Sequence, residues 1–297
     1  MSELPHGVAR LAAERGLTGL TPIGGGLEFR VFRAVTPQGT AVALRTAAGH
    51  RFQANANDPE VDTRALLTWE HTVTSHLAGH GIPVAAPREL ALGDPDVSVS
   101  DFVDDDGQGP EPYRLGSLLR RLHGVPPPAA RPVAHEGLPT GRLVPRRIAR
   151  RWREVAARVP DLPAPPPVDR LAAAVAGRPQ DRLLHLDVRA ANLRCVDGRV
   201  HALLDWSNAL IGDPALELGR LAEFALLPEN GIDVEAVSSG YGDGVPVGSA
   251  AAWTYRLDAA VMLAVVFLSE APDPVRGPRA VDRLREVHDR WLHRTRR

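Results

Sequence analysis

Apolar residues recur with two periods, and the period changes along the chain. From Ile23 the sequence Ile23-Gly24-Gly25-Gly26-Leu27-Glu28-Phe29-Arg30-Val31-Phe32 places a glycine-rich turn between two apolar runs. Thr36-Pro37-Gln38-Gly39 has the chemistry of a type I turn, with Pro second and Gly fourth. A third run follows from Thr40 to Thr46, and the three runs predict antiparallel strands. Period two then puts Ala41, Ala43 and Arg45 on one face. A short helix is expected at residues 6–16, and residues 49–61 are polar and irregular.

Asp62 or Thr63 can cap a helix that runs to about Ala78 and ends near Gly79 and Gly81. Leu66, Leu67, Val73 and Leu77 mark its expected buried stripe, and Glu70 lies close enough to that stripe to face inward. Residues 88–103 read as a hairpin about Gly93-Asp94-Pro95-Asp96. The acidic, Gly- and Pro-rich stretch Asp104 to Pro112 is the best internal boundary. Beyond it helices are predicted at 113–124, 141–158 and 168–177, separated by Pro-rich loops. The longest apolar run, Ala259 to Leu268, is too short to span a bilayer and predicts a buried C-terminal helix.

Composition narrows the possible chemistry. All 35 basic residues among the 297 are arginine, against 36 acidic ones. Functions that need a lysine, such as a Schiff base or the lysine of a P-loop, are excluded. A formal net charge of −1 argues against a nucleic-acid binder. Arginine without lysine, with abundant Ala, Gly and Pro, fits codon bias from a GC-rich genome. One cysteine, Cys195, cannot form an internal disulfide, so a reducing cytoplasm is expected, with Cys195 as a packing residue. Met1-Ser2-Glu3-Leu4 begins no signal peptide, and no membrane partner is expected. The eleven histidines show no metal spacing.

The informative stretch begins at Leu183. A short apolar strand ends in His185-Leu186-Asp187, and Asn192 follows five residues after Asp187. Residues 193–205 predict a hairpin turning at Asp197-Gly198. If Val196 pairs with Arg199, Asn192 lies opposite Leu203, and Asn192 and Asp205 project from one face beside the loop that carries Asp187. Three converging oxygen-bearing side chains suit a hard cation such as magnesium together with substrate phosphates.

His185-x-Asp187-x-x-x-x-Asn192, then Asp205-Trp206 and Gly212-Asp213-Pro214, resembles the aminoglycoside phosphotransferase family of small-molecule kinases. The resemblance covers nearly the whole chain and implies an α+β, protein-kinase-like, two-lobed fold. Residues 1–104 would form a nucleotide-binding lobe, with an antiparallel sheet and one main helix. Residues 105–297 would form a larger, mostly helical catalytic and acceptor-binding lobe, with a hinge near 101–106. By the same resemblance Asp187 is the catalytic base, Asn192 and Asp205 are Mg2+ ligands, and Asp213 braces the catalytic loop. Gly24, Gly25 and Gly26 let backbone approach the phosphates of ATP or GTP, Val31 and Ala43 line the base slot, and Asp101, Phe102 and Val103 form the hinge.

The family's third-strand lysine is replaced by Arg45, whose guanidinium can pair with Glu70 and still meet phosphate. Arg189 is a second cation for the transferred phosphoryl group. The implied activity is γ-phosphoryl transfer to a hydroxyl of an aminoglycoside or other antibiotic-like molecule. The alternatives are a kinase of a choline-, homoserine- or sugar-type metabolite, or a pseudokinase module. Glu217, Glu223, Glu229, Asp233, Glu235, Asp243, Asp258 and Glu270 would make an acidic acceptor pocket if they converge, favouring a cationic acceptor. The chain is expected as a monomer or homodimer.

Overall fold

The computed structural model describes residues 5–242 and 248–295. Five strands, β1 (Thr18–Gly25), β2 (Phe29–Val35), β3 (Ala41–Ala47), β6 (Pro87–Ala91) and β7 (Val97–Asp101), form one antiparallel sheet in the order β1-β2-β3-β7-β6. The expected turn between β2 and β3 is present: the Gly39 N–H donates to Thr36 O at 2.9 Å, and Gly39 has φ +83, which glycine adopts without a Cβ penalty. β3 buries Val42, Leu44 and Thr46 on one face and turns Ala41, Ala43 and Arg45 to the other. The first face packs with Phe32, Ala34, Val97 and Val99 under Val8 of helix α1 (His6–Glu14). The opposite face is left to line a cleft.

Residues 49–61 are more ordered than their polarity suggests. Within them β4 (Phe52–Gln53) pairs with β5 (Val61–Asp62). Asp62 then caps α2 (Thr63–Gly79), its carboxylate accepting from the N–H groups of Arg64 and Ala65. The buried stripe of α2 is Leu67, Trp69, Val73 and Leu77; Leu66 is only half-buried, because the stripe is rotated toward Trp69. Besides its contacts with β6 and β7, that helix packs its stripe on the C-terminal half of the chain. Trp69, Val73 and Leu77 share a core with Leu119, Leu183, Leu193 and Trp206, and Trp69 Nε1 donates to Ala209 O at 3.1 Å.

The rest is mostly helical: α3 (Pro112–Gly124), α4 (Thr140–Ala156), α5 (Val168–Ala174), α6 (Pro214–Phe224), α7 (Val234–Tyr241), α8 (Ala250–Val265) and α9 (Arg276–Thr295). Short strands β8 (Arg182–Leu184), β9 (Leu193–Val196), β10 (Arg199–Leu203) and β11 (Leu210–Gly212) carry the loops between α5 and α6. α4, α8 and α9 close a second core around Trp152, Tyr255 and Trp291. The apolar run of α8 continues through a π-helical turn, Val266–Glu270, so the apolar helical stretch is 21 residues, longer than the run of ten read from sequence. By length and composition it could cross a membrane, but 67% of its most apolar window is buried inside the protein, as a core helix is.

α3 and α7 approach so closely that glycine is required on both. A Cβ on Gly116 would overlap Val237 O, and one on Gly240 would overlap Tyr113 O. Gly116→Ala is expected to destabilise the protein by about 1–3 kcal/mol in urea unfolding, the range for overpacking. Gly79→Ala, where a Cβ meets nothing within 4 Å, should stay near neutral. Equal behaviour of the two variants would refute the close approach.

Candidate active site

β8 runs straight into the loop His185-Leu186-Asp187. His185 is fully buried; its Nε2 bonds Leu204 O at 2.8 Å and its Nδ1 accepts the Asp187 N–H at 3.0 Å. Trp206 packs edge-on against its ring, with centroids 4.4 Å apart, so Trp206 is a packing residue as well as a cleft wall. Leu186 has φ +63, an uncommon conformation for a branched side chain. What holds it is Glu217 of α6, whose carboxylate accepts from the N–H of His185 at 3.1 Å and of Leu186 at 2.7 Å, and bonds His123 Nε2 at 2.8 Å.

The bracing role expected of Asp213 therefore falls to Glu217. Asp213 instead caps α6 through the Ala215 N–H and pairs with Arg178 at 2.6 Å. His123 is structural, lying between Glu217 and the Tyr241 hydroxyl.

Asp187 is held by two neighbours. Asn192 Nδ2 donates to its carboxylate at 2.6 Å and to its carbonyl at 2.9 Å, and Arg189 Nε lies 3.2 Å from the carboxylate. Arg189 thus contacts Asp187 directly. The hairpin register differs from expectation by one residue. Val196 pairs with Arg199 and Cys195 with Val200, but a bulge at His201 shifts the next pairs to Arg194–Ala202 and Leu193–Leu203. Asn192 consequently faces Leu204, not Leu203, and the Leu204 N–H donates to its carbonyl at 2.8 Å. Asp205 reaches the cleft by leaving the strand, with φ +65, rather than by strand alternation.

Arg45 joins three elements. Its Nη1 donates to Glu70 at 2.9 Å, its Nη2 to Asp205 at 2.7 Å, and its guanidinium lies over the Phe29 ring at 4.3 Å. Asp205 also accepts from Ser207 Oγ at 2.7 Å, and Glu70 from the Trp206 N–H at 3.2 Å. Burial pushes both carboxyls up. For Asp205 the Arg45 charge and the Ser207 bond override burial and hold it below the ordinary range. For Glu70 burial and the nearby Asp205 charge prevail, and it is pushed up.

These groups face a cleft of about 490 Å³. Gly24, Gly25, Gly26, Val31, Ala43, Arg45, Glu70, Asp101, Phe102, Val103, Arg189, Asn192 and Asp205 all line it. Asp187 does not line it, but bonds Asn192 and Arg189, which do. Residues missed from sequence also line it: Glu28 at the turn, Phe29 beside Val31, and Ser98 and Ser100 of β7. Phe29 shares the face of Val31 by period two, a signal that was present. Ser98 and Ser100 stand opposite Arg45 and Ala43, a pairing that depends on β7 joining β3 across some 50 residues of sequence. Burial, with Asp205 and Asp58 nearby, pushes the Glu28 carboxyl up.

The acidic linker and most of the acids named for the acceptor pocket are engaged. Asp106 accepts the Asp197 N–H at 2.8 Å and Asp105 pairs with Arg194 at 3.3 Å, tying the linker to the β9–β10 turn. Glu223 pairs with Arg256 and Arg283, Glu229 with Arg276, and Asp258 with three arginines. Asp233 caps α7, Glu270 binds Asn57, and Glu235 is exposed. Asp243 lies outside the described residues. The convergent acidic pocket is not formed among the described residues.

A sequence model described as the phosphotransferase enzyme family matches residues 19–250. Comparison with curated proteins gives no match. Among solved structures, a thermostable mutant of aminoglycoside phosphotransferase APH(4)-Ia, in ternary complex with AMP-PNP and hygromycin B, is 17% identical with a TM-score of 0.65, over 96% of this chain and 99% of that one. Macrolide 2'-phosphotransferase MphH from Brachybacterium faecium is 23% identical with a TM-score of 0.55, over 94% and 98%. Macrolide 2'-phosphotransferase type I is 17% identical with a TM-score of 0.59, over 96% and 99%. These likenesses show the α+β, kinase-like fold.

Glu217 generates a pH prediction. Burial pushes its carboxyl up, but the bonds from His123 and the loop amides outweigh this and hold it below its ordinary value of 4.5. Its contribution to stability is therefore complete above about pH 4.5 and is lost as pH falls through the depressed folded-state value. Glu217→Gln should cost about 1.5–3 kcal/mol at pH 7, the worth of hydrogen bonds to a charged group. Urea unfolding at pH 7 and pH 3 should show the gap to the parent protein shrinking at the lower pH. A gap independent of pH would argue against an ionised brace.

Proposed function

The chain belongs to the phosphotransferase enzyme family, and from that premise we propose that it moves the γ-phosphoryl group of ATP or GTP to a hydroxyl of a small molecule, with magnesium as the bound cation. The observation that carries this reading is the meeting of Asn192, Asp205 and Arg45 on one cleft beneath a glycine-rich turn, with Asp187 bonded behind Asn192. Phosphoryl transfer needs in-line positioning and cancellation of charge more than covalent help, and this set is suited to both.

Gly24 to Gly26 would admit the nucleotide phosphates; a Cβ on Gly24 or Gly26 meets nothing within 4 Å, so the turn presents open backbone to the cleft. Val31 and Ala43 would line the base slot. Residues 101–106 would be the hinge between 1–104 and 105–297. Asn192 uses only its amide N–H groups in the protein, and Asp205 only one carboxylate oxygen. The remaining Asn192 and Asp205 oxygens fit a hard cation that completes its shell with phosphate and water. Bound there, magnesium would neutralise the phosphate charge.

Asp187, oriented by Asn192 and Arg189, would take the proton of the acceptor hydroxyl. Arg189 donates to Asp187 through Nε, leaving its Nη atoms for the transferred phosphoryl group. We propose an antibiotic-like acceptor, a reading supported by the hygromycin B held by a structural neighbour. A housekeeping metabolite is the competing acceptor class. A catalytically weak binding module is favoured by one observation, the direct Arg45–Asp205 contact, which puts a protein cation on an expected metal ligand.

Asp187→Asn should lower turnover by about 100- to 10,000-fold, the contribution of a positioned base, while thermal shift by magnesium AMP-PNP persists. Unchanged turnover would remove Asp187 from the chemistry. Arg45→Lys should lower kcat/KM by more than about five-fold, because one ammonium cannot reproduce the fork that reaches Glu70 and Asp205 together. Equal or higher kcat/KM would mean the pocket is not built around a guanidinium. Nucleotide binding without transfer to any hydroxyl in a broad acceptor panel would favour the weak module.

A further inference from the structure

Glu217 holds the N–H side of the loop before Asp187, and a second residue of α6 holds its carbonyl side. Arg220 stands three residues after Glu217, on the same face of the helix. It is 6% exposed and does not line the cleft. Its Nη1 donates to Leu186 O at 2.9 Å, and its Nη2 reaches Asp258 of α8 at 3.4 Å.

The first of these contacts falls on the peptide plane that carries Asp187. Leu186 O is one end of that plane and the Asp187 N–H is the other. The N–H end donates to His185 Nδ1 at 3.0 Å, and the carbonyl end accepts from Arg220. Beyond the side chain, the Asp187 carbonyl accepts from Asn192 Nδ2 at 2.9 Å. Three backbone groups around Asp187 are therefore held by side chains, not by a strand or a helix. A peptide plane bonded at one end can tilt about that bond. Bonded at both ends, it turns only when two bonds break. The preceding Leu186 has φ +63, a conformation that persists only where the surroundings over-determine it.

Arg220 is itself set from behind. Asp258 is fully buried and also accepts from Arg147 Nη2 and Arg151 Nη1 of α4, both at 3.0 Å. Arg151 takes Oδ1 of that carboxylate and Arg220 takes Oδ2. A buried guanidinium is costly to leave unpaired, which fixes Arg220 between Asp258 and the loop. Among the described residues, Arg220 is the one of the three arginines that bonds the loop.

We propose that Arg220 is a positioning residue for the transfer: through the Leu186 carbonyl it fixes the peptide plane that aims the Asp187 carboxylate at the acceptor hydroxyl. Arg220 lies off the cleft and acts only through the loop. This rests on the phosphotransferase reading above.

The test uses slow hydrolysis of magnesium ATP, in which water stands in for the acceptor hydroxyl and gives its proton to Asp187. ADP formation is followed for the parent, Arg220→Met and Arg151→Met. Arg151→Met is the control, because it removes an equally buried charge from the same Asp258 and leaves Leu186 O bonded. Arg220→Met should lower kcat by about tenfold or more, as misplacement of a reacting group does, with KM for magnesium ATP within about twofold of the parent. Arg151→Met should leave both within about twofold. A role in packing alone would make the two variants alike. Arg220→Lys keeps the charge without the fork that spans Leu186 O and Asp258, and should fall between Arg220→Met and the parent. If a methionine variant does not fold, Arg220→Lys against Arg151→Lys supplies the same comparison. A retained thermal shift with magnesium AMP-PNP verifies folding.

The inference is overturned if Arg220→Met keeps kcat within about twofold of the parent, if Arg151→Met lowers kcat as far, or if the loss falls on KM and not on kcat. Failure of the phosphotransferase reading looks different: the parent itself shows no shift with magnesium AMP-PNP and forms no ADP.

Discussion

One guanidinium has to answer two carboxylates. Arg45 stands between Glu70 and Asp205, and through them it joins a strand of the sheet, the helix behind it and the segment after the catalytic hairpin. An ammonium is a point charge and can favour one neighbour; a planar fork can span both. The pair of carboxylates responds unequally, Asp205 held down and Glu70 pushed up, so the cation is shared and not simply matched. Phe29 beneath the guanidinium limits where it can go. The geometry of the cleft follows from this one placement, because the two walls that Arg45 connects are the two walls of the cleft.

The loop that carries Asp187 depends on a different arrangement, built from buried polar groups. A left-handed Leu186 is tolerated because Glu217 accepts two consecutive backbone N–H groups there. His185 spans the same loop from the other side, and its ring is itself pinned by Leu204 O and Trp206. Apart from Leu204, which is half-buried, the partners in this set are buried, so each bond is strong and each omission would be expensive. The site is thus rigid where the proposed base sits and adjustable at Arg189, whose side chain is nearly half exposed.

Much of this was legible in the residue pattern. The strands, the Thr36–Gly39 turn, the Asp62 cap and the inward Glu70 follow from period, turn chemistry and capping, which are local. The constellation of Asp187, Asn192 and Asp205 was legible from its spacing, and the expected lining residues of the cleft do line it. The failures are equally specific. Leu66 was placed in the α2 stripe because periodicity counts apolar residues without knowing that Trp69 has a larger surface to bury. The hairpin register slipped because a bulge at His201 has no sequence marker such as glycine. Asp213 was given the bracing role that belongs to Glu217, since one turn of helix decides which carboxylate reaches the loop. Whether the carboxylates of residues 217–270 converge could not be read from the sequence, because the arginines that pair with Glu223, Glu229 and Asp258 are distant along the chain.

The packing of α2 has a consequence of its own. By position in the chain it belongs with the sheet, yet Trp69, Val73 and Leu77 are buried among residues 115–241. A polypeptide stopping near residue 104 would carry that apolar stripe uncovered, and the remaining half would lack the surface that fills its core. The boundary drawn by composition therefore separates two regions of sequence without separating two autonomous folding units.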